Sequence, residues 1–569
     1  MNSLNIWWEG FVEWLKREEN GLFLFLLALH FLPLWSLPYF STCDGPAHIY
    51  NAQIMLDYFK SENLTVFEKF YSFNNNIGAN WLGHILLSLL LAIFPPFIAE
   101  KVLISGYLLL LPLSVRYACK AINPESKVAV LLIFPIVYNS TIYFGFYYFC
   151  YSIGLFFLVF GYWIKYQNSL SLSSRHVTLL LILVLLLYLS HPFSFTMAAL
   201  LIGFHFSFNL IADLVKEIRT GRRWENLLTE RLKSQFLPLT IAFLPTTLLM
   251  LSWAITSPTT NDRRPQNWQI QKLYIWIIES ISIYYPNSLP AKTSSAAFLI
   301  LLALLTIYCI FSRNSVTDKS EKNHLFWIPI LLFIPIVGLV LPALLPAYLL
   351  TLDNLSAIYL FTSERCCLYV LLTAILWIAV GKFHKKVLLA TKIAITSISL
   401  VLLVMQILTH YRLQSYVEEI LSYKAVVAEK ATVLPLFLHY GALPKGGYDI
   451  LPPPVLLHTP AYVATEKELV NLGNYEAHTG AFPINFQQTV NPFIYIGGAI
   501  NSLSAAIDIL SYRDKTGIDV DYVVVYTVPG HKFNEASIIS LYAQLEVGYE
   551  LIYTSPERGF IEVYRKKRK

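Results

Sequence analysis

In the stretch TCDGPAHIYNAQ, residues 42–53, an acid and an imidazole stand four residues apart: Asp44 and His48, with Gly45-Pro46 between them. If helix begins near Gly45, that spacing puts both side chains on one face, a single turn apart. A carboxylate so placed can take a proton from an attacking hydroxyl, and an imidazole can hold or relay one. A plainer reading is also open. Asp before Gly-Pro is a good helix start, with the carboxylate capping free backbone N–H groups, and His48 is then an interfacial ring facing water. The two roles of Asp44 are compatible. Asp57 runs into polar sequence and reads as solvated.

Other ionisable groups lie at the ends of apolar runs. They are His84 in WLGHILLSLLLAIF, His191 in YLSHPFSF, Arg263 and Arg264 in TNDRRPQNW, and Glu364 and Arg365 in FTSERCCLYV. Charge at membrane depth is costly and usually faces a cavity or a partner. His191 could bind a phosphate or hydroxyl, or satisfy a helix end. Arg263-Arg264 suits a phosphate, or an interfacial anchor. Arg365 calls for a phosphate, a carboxylate or a lipid headgroup, and Glu364 beside it is a further candidate for the same site.

The elements that position these groups follow from composition. Of 569 residues, 56% are hydrophobic and 14% charged, with a mean hydropathy of +0.54. A soluble chain carries roughly a quarter charged residues. Apolar runs of near-spanning length occur at 21–38, 97–115, 128–144, 148–164, 177–190, 193–212, 235–255, 296–312, 325–343, 366–381 and 388–409. The run 81–94 is short, holds His84 and ends at Pro95-Pro96. Treating it as a juxtamembrane or re-entrant helix, with a cytoplasmic N-terminus, places more than twice as many loop Lys and Arg inside as outside; making it a crossing nearly reverses the ratio. The expectation is a polytopic α-helical membrane protein with about eleven spans. Residues 1–20 are cytoplasmic and 21–410 form the membrane domain, with a first outer loop at 39–96 and another at 256–295. All the candidate residues then share the outer surface.

From about 411 the composition changes. TVLPLFLHYG and DVDYVVVYTV are short β-rich runs, SLYAQLEVGYE is helical, and ELIYTSPERGFIEVYRKK reads as two strands around a turn. Residues 411–569 are expected to form an extracytoplasmic α/β domain with its own core. Most of the six cysteines read as small buried apolar residues, since none shows CxxC spacing. No Walker motif, strand-following GxGxxG, HExxH or EF-hand loop is present. The residues support neither a nucleotide-driven nor a redox machine, no cofactor is indicated, and the spacing names no metal ligands. The basic residues are topological and do not point to nucleic acid.

The order of parts resembles the GT-C type of integral-membrane glycosyltransferase. Asp44 in STCDGPAHIYNA matches the acidic position that follows the first span in that family, and WLGHILLSLLLAIFPP matches its juxtamembrane element. YFGFYYFCYSIGLFFLVFGYWIKY, YLSHPFSF and DVDYVVVYTV…YELIYTSPERGFIEVYR resemble segments of bacterial members of unassigned specificity. The resemblance implies a cytoplasmic-membrane enzyme that moves a hexosyl or pentosyl group from a polyprenyl-phosphate donor to a glycan, lipid or protein acceptor. It implies Asp44 as general base with inversion at the anomeric carbon, and His48, His84, His191, Arg263, Arg264, Glu364 and Arg365 as candidates around the substrate and its phosphate. The chain departs from the family in one respect: the second outer loop, YNSTIYFGFYYF, carries no acid, so a divalent metal is not supported. Two other classes use the same features: a transporter, flippase or polymer-assembly protein for lipid-linked sugars, and a non-catalytic scaffold of the same shape.

Overall fold

The computed structural model of the chain describes residues 18–58, 64–74, 78–170, 173–256, 277, 281, 289–311, 362–438, 455–497, 507–527 and 535–568. Its helical part comprises α1 (Glu18–Leu29), α2 (Gly45–Asp57), α3 (Trp81–Leu91), α4 (Pro96–Ile122), α5 (Tyr147–Tyr166), α6 (Ser174–Ser190), α7 (Pro192–Arg219), α8 (Leu237–Thr256), α9 (Leu289–Phe311), α10 (Thr362–Val380) and α11 (Lys385–Leu421). Among the described residues, six helices are long and apolar enough to cross a membrane, and shorter apolar helical stretches accompany them. Every span expected from sequence falls on one of these except 325–343, which lies outside the described residues, as does most of the loop 256–295.

One of them differs in form. The run 128–144 is no single helix but two 3-10 turns, Ala129–Leu131 and Phe134–Ile136, followed by the short helix Ser140–Tyr143. Pro135 interrupts the helical ladder. The segment is almost wholly buried, pressed between α4, α10 and α11, so packing holds a conformation that hydropathy alone would render as a regular span. α3 is 11 residues long, about 17 Å and roughly half of a hydrocarbon core. It lies against α2.

α11 is the longest element, 37 residues, or about 55 Å. It runs unbroken through position 411, and its last turns join the C-terminal domain. Gln414 holds the backbone of Tyr39 in both directions: Tyr39 N–H donates to Oε1 at 3.0 Å, and Nε2 donates to the Tyr39 carbonyl at 2.9 Å. The exit of the first apolar helix is thereby tied to α11.

The C-terminal domain carries β2 (Thr432–Phe437), α12 (Pro460–Glu466), β3 (Val470–Asn471), α13 (Tyr475–Thr479), β4 (Ile484–Phe486), β5 (Tyr522–Tyr526), α14 (Ala536–Gly548), β6 (Tyr549–Thr554) and β7 (Ile561–Lys566). Five strands pair in the order β3-β2-β5-β7-β6. β2 lies parallel to β3 and β5, while β7 is antiparallel to β5 and β6. The central β5, YVVVY, is buried along its whole length, as befits a strand covered on both faces. The β6–β7 turn is closed by Ser555 N–H to the Ile561 carbonyl at 2.9 Å and by Gly559 at φ 69°.

The domain does not close its core alone. A strand of the first loop, β1 (Tyr71–Phe73), pairs antiparallel with β4, with Tyr71 opposite Phe486 and Phe73 opposite Ile484. Tyr50, Ile54, Phe67, Phe70 and Tyr71 share one apolar core with the sheet, as do Leu413, Val417 and Ile420 of α11. A self-contained core for 411–569 is therefore corrected: first loop, last helix and C-terminal sheet fold as a unit. Asp57 is corrected with it. It is 1% exposed rather than solvated, and accepts from Gln53 Nε2 at 2.5 Å.

Candidate functional site

Asp44 occupies the N-cap position of α2 without capping it. Its backbone is in the αR region, φ −92° and ψ −14°, and its side chain makes no cap hydrogen bond; capping needs an extended residue there. The backbone is committed elsewhere. Cys43 N–H donates to the Tyr143 carbonyl at 2.9 Å, and Asp44 N–H to that of Phe144 at 3.0 Å. This ladder brings the turn 143–146 against the start of α2. Gly145, at φ +78°, allows it, because a Cβ there would meet Gly45 N at 2.5 Å and Asp44 N at 2.7 Å.

The carboxylate of Asp44 is thus free to face the C-terminal domain. It accepts from Tyr475 and touches Cys43, and His458 Nε2 lies 3.6 Å from Oδ1. Tyr475 and His458 stack, ring centroids 4.7 Å apart. Burial pushes the Asp44 carboxyl up to about 6, His48 and Tyr475 opposing. Burial also holds the His458 imidazole down at about 4, so a neutral ring meets the carboxylate. The Asp44 side chain remains 15% exposed and within reach of solvent.

His48 does not face water; it is 2% exposed. Its Nδ1 lies 2.5 Å from Glu476 Oε1. His84 Nε2 lies 2.9 Å from Glu476 Oε2 and 3.1 Å from the Tyr148 hydroxyl. Burial opposes ionisation of Glu476, but His48 and His84 together outweigh it and hold the carboxyl at about 2. Burial likewise opposes a charge on His48; Glu476, with Asp44 adding to it, prevails and raises that imidazole. Beside this cluster Asn51 and Asn474 exchange side-chain hydrogen bonds at 3.0 and 2.9 Å, locking α13 onto α2.

Gly83 admits Tyr148 to the cluster, since a Cβ there would lie 1.7 Å from Tyr148 Cδ1. Gly83→Ala is expected to cost about 1–3 kcal/mol through overpacking and to displace Tyr148 from His84. A fall in the thermal midpoint measures it, and an unchanged midpoint would contradict the packing.

A second group gathers around the same turn. The Arg365 guanidinium lies over Phe146 and Phe149, 5.5 and 5.0 Å from their centroids, contacts that suit the planar guanidinium. His191 meets Phe149 edge-on at 5.2 Å and caps α7, with Nδ1 accepting from Phe193 N–H at 3.2 Å. Burial, and the Arg365 charge beside it, keep this imidazole neutral. Arg263, Arg264 and the Glu364 side chain lie outside the described residues.

The structure thus joins His48 with His84 through Glu476, sets Asp44 beside them, and brings His191 to Arg365. Sequence reasoning passed over Glu476, Tyr475, His458 and Glu100. Glu100 is buried, accepting from Tyr147 OH at 2.5 Å on Oε1 and from Tyr462 OH on Oε2. The acid lacking in YNSTIYFGFYYF is thereby matched by acids from elsewhere. Glu100 had one legible signal, an acid four residues past Pro95-Pro96 at the start of an apolar run. His48, His84 and Glu476 hold ligand atoms within 4.8 Å of one another, as do Cys43, Asp44 and His458, so each trio could hold a metal ion.

No protein-family model and no curated protein sequence matches the chain. Among solved structures it is similar to the arabinofuranosyltransferase AftD from Mycobacteria, at 13% identity and a TM-score of 0.49 over 97% of this chain. It spans 40% of that chain. At that level the likeness assigns no activity to the present protein.

Proposed function

We propose that the protein is a membrane glycosyltransferase of GT-C type, using a sugar carried on a polyprenyl phosphate. The observation that carries this reading is that an acid and a guanidinium rest on one short turn. The backbone N–H of Asp44 donates to the Phe144 carbonyl, and Arg365 stacks on Phe146. A donor with its lipid among the helices and its phosphate at Arg365 would hold its anomeric carbon near the Asp44 carboxylate. The acceptor oxygen attacks that carbon, the carbon–oxygen bond to the phosphate breaks, and the acceptor proton passes to Asp44. The leaving phosphate carries the developing negative charge, which Arg365 stabilises. A single in-line displacement inverts the anomeric centre. His191, neutral and adjacent, can donate one further hydrogen bond to the phosphate if its capping lone pair stays on Nδ1. On this reading the C-terminal domain lies outside the cytoplasmic membrane and lends Tyr475 and His458 to the base.

The test is consumption of a polyprenyl-phosphate sugar by protein purified in detergent with its native lipids, across a panel of acceptors. In that assay Arg365→Ala is expected to weaken donor binding by about 10–100-fold, the worth of a charged hydrogen bond. Unaltered binding would remove Arg365 from the phosphate site. Donor bound by wild type but never turned over, whatever the acceptor, would point to a transporter or a scaffold.

A further inference from the structure

We propose that His48, His84 and Glu476 form a buried zinc site that locks the C-terminal domain onto the two helices of the first loop. The inference does not depend on the transferase reading. It rests on how each ring spends its nitrogens.

His84 Nδ1 lies 3.1 Å from the Asn80 carbonyl. A carbonyl only accepts, so this nitrogen carries the hydrogen. In the neutral ring Nε2 is then a bare lone pair, and it points at a carboxylate oxygen 2.9 Å away. Two lone pairs so close require something positive between them: a second proton or a metal ion. One ring nitrogen donating to a backbone carbonyl while the other turns inward is the arrangement that metal-bound histidines adopt. Asn80 supplies the carbonyl from a left-handed conformation, φ 70°, uncommon for a residue other than glycine. Asparagine adopts this region more readily than other non-glycine residues, so the carbonyl is held there at little cost.

The second imidazole is left unsatisfied: among the described residues neither His48 ring nitrogen makes a hydrogen bond, and Nδ1 turns to Glu476 Oε1. Although 2.5 Å apart, these two atoms lack the geometry of a hydrogen bond, and neither has another partner. The three residues are 2% exposed or less. Two imidazoles and a carboxylate are a common set for zinc. Ligand atoms around a tetrahedral zinc stand roughly 3.3 Å apart, so small side-chain movements would open the trio to the ion. The Tyr148 hydroxyl, 3.1 Å from His84 Nε2, is placed to hold a water in the remaining position.

The ligands come from α2, α3 and α13, the last 392 residues from His84. One ion would therefore staple three distant segments, beside the reciprocal Asn51–Asn474 pair. Such a site binds by folding and should stabilise the assembled state.

The experiment is zinc analysis of full-length protein purified without a polyhistidine tag, in detergent, before and after chelation. About one zinc per chain is expected in the wild type, with a lowered thermal midpoint once it is stripped and recovery on adding zinc. His84→Ala and Glu476→Gln should each lose the ion, whereas Asp44→Asn should keep it. Stripped wild type that takes up no zinc, or His84→Ala that binds it as tightly as wild type, overturns the proposal. Should both variants fail to fold, stripped wild type with Co²⁺ decides: visible absorption saturating at about one ion per chain supports the site, and its absence defeats it.

Discussion

Asp44→Asn is expected to reduce sugar transfer by about 10²–10⁴-fold, the usual worth of a positioned base, while donor binding and the thermal midpoint stay near wild type. The substitution is nearly isosteric. Asparagine can still accept from Tyr475, so the stack of Tyr475 on His458 should survive. Because the Asp44 side chain does not cap α2, the helix loses no cap. What is lost is the ability to take a proton. Burial that lifts the carboxyl to about 6 suits the task, since a base works best with its pKa near the working pH. The measurement is kcat against KM for the donor. A fall in kcat at constant donor affinity is expected; transfer within a few-fold of wild type would remove Asp44 from the chemistry. A variant that fails through misfolding would show a lowered midpoint, which separates the two outcomes.

The largest expected loss of stability comes from Glu419→Ala. Glu419, in the last turn of α11, is 4% exposed. It accepts from Ser555 Oγ at 2.6 Å, from the backbone N–H of Arg558 at 3.0 Å and of Phe560 at 3.3 Å, and from Arg558 Nη1 at 3.0 Å. One carboxylate thus organises the whole β6–β7 turn and binds it to the helix that leaves the membrane. Removing it strands several donors, and breaking a buried pair costs about 3–5 kcal/mol. Arg558 is 33% exposed and can turn to water, so the lower end, about 3 kcal/mol, is expected. Thermal unfolding of the intact protein, with limited proteolysis near 555–560 as a local reading, checks it. Glu419→Gln should lose less, because an acceptor remains for the turn. Equal stability of Glu419→Ala and wild type would show that the turn holds itself.

Much of the frame was legible because it is written locally. Apolar runs mark helices through length and composition alone, and DVDYVVVYTV marks a strand through its β-branched residues. SPERG between two such runs marks a hairpin turn. The four-residue spacing of Asp44 and His48 set them a turn apart, and both do lie on or at the start of α2. Such signals involve neighbours within a few residues, where backbone geometry is nearly fixed by residue type.

The site itself was decided in three dimensions. Nothing near YEAHT announces Glu476 as the partner of two histidines some 400 residues earlier. Nor does YSF announce a strand that pairs with INF. Such pairings arise only when loop and domain bury a common apolar core, a gain that belongs to neither segment alone. The same holds for Asp44: its residue type and the Gly-Pro after it predict a cap, but the hydrogen bonds of 43 and 44 to the turn at 143–144 fix its backbone and release its carboxylate. Local sterics and hydropathy set most of the helices, strands and turns, the run 128–144 and the strand Tyr71–Phe73 excepted. Only the tertiary structure determined which acid meets which imidazole, because burial far from water is what makes each charged group require a partner.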